Sequence, residues 1–65
     1  MNDDEIFSAV RRVEQRGWSP APLDMVADEV QWRGAGLEQA LDRLAAVGRL
    51  DRHQRPDCDP AYASR

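Results

Sequence analysis

Arg49, Arg52, His53 and Arg55 place four cationic or protonatable side chains within seven residues, with Asp51 as the one acid among them. Such a run suits an anionic partner, because a guanidinium fork matches the oxygens of a phosphate or carboxylate. Just downstream, His53, Asp57, Cys58 and Asp59 could each ligate a metal. However, they fall in a stretch rich in proline and aspartate, and no Cys/His cluster has the spacing of a structural zinc site. The plainer reading is a polar turn, so no metal and no cofactor is expected. One histidine, one cysteine, no serine motif and no carboxylate pair in a recognisable pocket context make no catalytic constellation, and no enzyme is expected. A third group, Glu38 and Asp42, lies one helical turn apart on a segment that also carries Gln39 and Arg43.

The segment that must position these side chains runs from Gly34 to Leu50. Leu37, Ala40, Leu41, Leu44 and Val47 recur at helical spacing and form one apolar stripe, while Arg33, Glu38, Gln39, Asp42 and Arg43 lie off it. Gly48 stands where such a helix would stop, since a left-handed residue there costs glycine little. Upstream, Asn2 and Glu5 read as an N-cap and its partner three residues on. Ile6, Val10 and Val13 form a helical stripe, and Gly17 closes it. W-S-P-A-P, residues 18–22, is expected to be a rigid extended connection, with Trp18 anchored in the core. Leu23, Val26 and Val30 mark a short second helix, with Ala27 small enough for a neighbour to approach. Trp32 is expected to cover the joint to the third helix. After Gly48, two short extended pieces flank a proline- and aspartate-rich tip and predict a hairpin, with Leu50 and Tyr62 folded back onto the helices.

Sixty-five residues make one small domain, expected to span 1–65. A chain this size buries only about 60% of its unfolded surface, so stability is marginal, and a homodimer using Trp18, Trp32 and Tyr62 would add apolar burial. All nine basic residues are arginine, and net charge is -3. Residues 1–30 hold seven acids against three arginines, and residues 31–65 hold six arginines against five acids, so an anion would be drawn to the second half. Nothing reads as a signal peptide or a membrane span, and a soluble, cytoplasmic protein is expected.

The order is helix, linker, helix, turn, helix, hairpin. The residues L-D-M-V-A-D-E-V and then L-E-Q-A-L-D-R-L-A-A-V-G-R-L-D-R resemble the winged helix-turn-helix family. Val26-Ala27 and Val30 match its second helix. Leu37, Leu41 and Leu44 match its third, and Gly48-Arg49-Leu50 match the approach to its wing. The expected fold is therefore mainly α with a small β-hairpin: helices at about 3–16, 23–30 and 36–47, and a wing at about 49–65.

The resemblance implies double-stranded DNA as partner and a small transcriptional regulator as function. In that family the third helix enters the major groove and the wing touches the backbone or minor groove. By position, Arg33, Ala35, Glu38, Gln39, Asp42 and Arg43 would face DNA, and Arg49, Arg52, His53 and Arg55 would form the wing. Glu38 and Asp42 depart from the pattern, because two carboxylates against a phosphate-lined groove oppose binding. The alternative is a winged-helix protein-interaction module or subunit, with Trp32, Glu38 and Asp42 at the interface.

Overall fold

The computed structural model describes residues 2–32 and 34–65. Helix α1 spans Asp3–Gln15, strand β1 Ala21–Pro22, helix α2 Leu23–Val30, helix α3 Ala35–Ala46, strand β2 Leu50–His53 and strand β3 Ala61–Ser64. The strands form one antiparallel sheet in the order β1-β3-β2. Three helices with a short turn between α2 and α3, followed by a hairpin, make a winged-helix-like topology. No helix among the described residues is long and apolar enough to cross a membrane.

Local signals set the helix ends. Asn2 Oδ1 accepts a hydrogen bond from the Glu5 backbone N–H at 2.9 Å, which satisfies one orphan donor of α1. Asp3, Asp4 and Glu5 then sit at the positive end of the helix dipole. Gly17 and Gly48 take left-handed φ values of 101° and 84° and turn the chain out of α1 and α3. The buried faces are those the stripes predict, except at Val47. Leu41 and Leu44 are buried together with Ile6, Val10 and Val26, while Val30 packs half-buried at the edge of the same cluster.

The stretch expected as a linker does more than connect. Ala21 and Pro22 pair with Tyr62 and Ala61, so the expected two-stranded hairpin is part of a three-stranded sheet. Proline is tolerated there because β1 is an edge strand. The Leu23 N–H then donates to the Pro60 carbonyl at 3.2 Å, which ties the start of α2 to the start of β3.

Two side chains are not where their chemistry suggested. Trp18, expected in the core, is 53% exposed. Gly17 turns the chain just before it, and the aromatic place in the core is taken by Tyr62, which is fully buried. That burial removes Tyr62 from the candidate dimer anchors. Val47, read as the last residue of the α3 stripe, is 70% exposed. It caps α3, one residue past its last turn, and Gly48 redirects the chain to β2 before Val47 can reach the core.

Trp32 does cover the joint between α2 and α3. Its indole lies against Gly36, where an added Cβ would meet Trp32 Cζ2 at 2.6 Å. Gly36→Ala should therefore destabilise the fold, because overpacking of about 1–3 kcal/mol outweighs the gain of about 1 kcal/mol in helix propensity. A thermal melt equal to or above the parent's would show that the indole yields freely.

Candidate nucleic-acid interface

The turn before α3 aims the helix outward. Gln31 caps α2 in a left-handed conformation at φ 54°, and Gly34 precedes α3 at φ 134°, a value that favours glycine. Leu37, Ala40, Leu41 and Leu44 bind α3 to the core, leaving Ala35, Gln39, Arg43 and Ala46 exposed. Gln39 makes no side-chain hydrogen bond among the described residues, so its amide is free to read a partner. Arg33, assigned to this face from the sequence, lies outside the described residues.

Glu38 and Asp42 occupy the flank of α3 that faces the sheet, and both are half-buried. Arg52, on β2, reaches across to them. Its Nη1 donates to Asp42 Oδ1 at 2.5 Å and its Nη2 to Glu38 Oε2 at 3.4 Å. The neighbouring strand contributes as well: the Tyr62 hydroxyl donates to Asp42 Oδ1 at 2.9 Å. Burial and this carboxylate together push the Tyr62 phenol well above its ordinary pKa, so it remains a donor throughout the physiological range. The β2–β3 register, with Arg52 opposite Tyr62, creates this junction. The two acids that the sequence set against a DNA groove are thus drawn toward the hairpin and opposed by one guanidinium.

The other arginines assigned to DNA are held more loosely. Arg43 pairs with Asp3 at 3.1 Å, and Arg49 pairs with Asp4 at 2.9 Å while stacking over Phe7 at 4.5 Å. Both pairs are exposed, and such pairs are worth about 0–1 kcal/mol, so a phosphate can displace the acid. Arg55 sits at the tip and donates from Nε and Nη2 to the Asp59 carbonyl, at 3.2 and 3.0 Å. His53 ends β2, exposed, and Cys58 is exposed at the tip. Of the alternative interface residues, Trp32 is half-buried against the core, which leaves it little area for a partner.

Sequence reasoning missed the roles of Tyr62 and Gln54. Gln54 Oε1 accepts from Arg52 Nη2 at 2.8 Å and from Nε at 3.3 Å. Nothing in the local sequence marks either residue, since Tyr62 reads simply as an apolar strand position and Gln54 as turn polarity.

A second acidic contact lies beside the tip of the hairpin. Asp24, Glu38 and Asp59 border a cavity of about 240 Å³ between the starts of α2 and α3 and the tip. The Asp59 carboxyl is held above its usual range, first because Asp24 hydrogen-bonds its protonated form and then because ionised Asp24 repels its charge. A raised folded-state pKa contributes stability below the ordinary aspartate value near 3.8, and that contribution is lost as pH rises through the folded-state value. Asp59→Asn keeps a donor toward Asp24 at every pH. Relative to the parent, it should gain stability as pH is raised from about 3 to 6, measured by thermal melts across that window. A constant difference between the two proteins across that range would remove the shared proton.

The arrangement can present one helix to a groove of a macromolecule, with a hairpin braced beside it. Set against known proteins, the chain matches no family model, no curated protein and no solved structure.

Proposed function

We propose that this protein binds double-stranded DNA through the outward face of α3, with the hairpin alongside, in the manner of a small transcriptional regulator. The observation that carries this reading is that face itself. Ala35, Gln39, Arg43 and Ala46 are exposed, with Arg43 in a surface pair with Asp3, while the flanking acids are drawn toward the hairpin. An exposed glutamine can pair bidentately with adenine, and alanines let the helix approach the base edges closely. Arg43, Arg49 and Arg55 supply the phosphate contacts, the first two by exchanging weak surface pairs.

The test is a salt titration of binding to random duplex DNA. Arg43→Ala, Arg49→Ala and Arg55→Ala should each reduce the slope of log K against log salt by about 0.9. Binding too weak to measure at every salt concentration would remove the reading for this chain.

One observation favours the second reading, a protein-interaction module. The hairpin from Leu50 to Ser64 carries Asp51, Asp57 and Asp59 against Arg52 and Arg55, so it has no basic excess. Under that reading the acidic flank of α3 meets a partner and DNA is not bound. Self-association would use Trp18, the large aromatic left exposed. Sedimentation at high micromolar concentration should then show a dimer that Trp18→Ala dissolves, and a monomeric parent would discard the self-association.

A further inference from the structure

Arg52 differs from every other arginine described in this chain. Its three guanidinium nitrogens make five hydrogen bonds, to Gln54 Oε1 twice, to Asp42 Oδ1, to the Tyr62 hydroxyl and to Glu38 Oε2. An arginine has five N–H donors, so no donor is left for a phosphate. The side chain is 32% exposed, against 43% for Arg49 and 61% for Arg43. Its plane also lies near the Tyr62 ring, 5.9 Å from the centroid. Acceptors from α3, from β3 and from the turn after β2 therefore converge on one cation.

Geometry of this kind holds things in place. The acceptors on α3 and β3 belong to separate elements, and the fork fixes the angle between them. It also places a positive charge against the two carboxylates of α3.

We propose that Arg52 is a positioning residue, an internal strut and charge screen, and that it makes no phosphate contact of its own. This rests on the DNA-binding reading, and it specifies how that surface works. Arg52 braces the hairpin against α3 and offsets Glu38 and Asp42. Without it, those acids would repel the duplex.

The experiment separates screening from phosphate contact by placing the same substitution in two backgrounds. Glu38→Gln with Asp42→Asn keeps an oxygen acceptor at each position and removes both negative charges. Binding to random duplex DNA is measured over a salt series for the parent, for Arg52→Met, for this charge-neutralised double variant, and for the combination of all three substitutions. Arg52→Lys is added as a variant that keeps the charge but not the fork.

Arg52→Met should weaken binding by about three- to tenfold in the parent, and by less than about twofold once the acids are gone, because nothing remains to be screened. Arg52→Lys should retain most of the affinity, since it still screens, yet hydrogen exchange of the β2–β3 amides should quicken because the brace is lost. A phosphate contact behaves differently. Arg52→Met would then cost the same factor in both backgrounds and lower the salt slope by about 0.9 in each, and that result overturns the proposal.

If no variant binds DNA, even with both acids neutralised, the DNA-binding reading fails, and hydrogen exchange alone decides the strut. Faster exchange in the hairpin of Arg52→Met supports it. Exchange unchanged from the parent overturns it.

Discussion

Leu41→Ala is expected to lower stability by about 2–5 kcal/mol and to leave much of the chain unfolded at room temperature. Leu41 is fully buried at the centre of the α3 stripe, in one cluster with Ile6, Val10 and Val26. Domains hold roughly 0.05–0.15 kcal/mol per residue, which for a chain this size is about 3–10 kcal/mol in total. One truncated leucine therefore removes a large share of what keeps the protein folded, and neither a disulfide nor a second cysteine exists to compensate. The volume-conserving Leu41→Met should cost less than about 1.5 kcal/mol, because methionine refills most of the space. Urea denaturation followed by circular dichroism measures both. Equal midpoints for parent and Leu41→Ala would show that the helix does not dock through this residue.

Tyr62 is the second large effect, and two substitutions separate its ring from its hydroxyl. It is the largest fully buried side chain, and it stands between β1 and β2 in the sheet. Tyr62→Ala should cost about 3–5 kcal/mol, as other aromatic truncations do. Tyr62→Phe keeps the ring and loses the hydroxyl, with its bond to Asp42 and the weaker one it accepts from Arg52. A hydrogen bond to a charged group contributes about 1.5–3 kcal/mol. The effect should lie at or below the lower end of that range, because Asp42 is 43% exposed and water can replace the phenol. The order parent, Tyr62→Phe, Tyr62→Ala is the expected ranking of thermal midpoints. A phenylalanine variant as unstable as the alanine one would mean that the junction with Asp42 and Arg52, more than the ring, carries the sheet.

Sequence alone determined the helices and where they end. The spacing of Ile6, Val10 and Val13, and of Leu37, Leu41 and Leu44, is a local period that needs no knowledge of neighbours, and Asn2, Gly17 and Gly48 act within one turn of themselves. The hairpin was legible for the same reason, in its proline- and aspartate-rich tip. Tertiary structure alone decided the fate of residues whose chemistry allows two places. Trp18 and Tyr62 can each fill a core, and the choice fell to Tyr62 because β3 lies between two strands while Trp18 follows a left-handed glycine at the surface. Ala21 and Pro22 became a strand only because β3 offers a free edge.

The charges divide in the same way. The sequence shows that residues 31–65 hold more arginine than acid, but not which arginine meets which carboxylate, because Arg52 and Asp42 are neighbours only after β2 folds back along α3. Ion pairing depends on distance through space and falls steeply with separation, so a count along the chain made Arg52 a candidate for phosphate and Glu38 a repulsion. Packing joined them to each other instead.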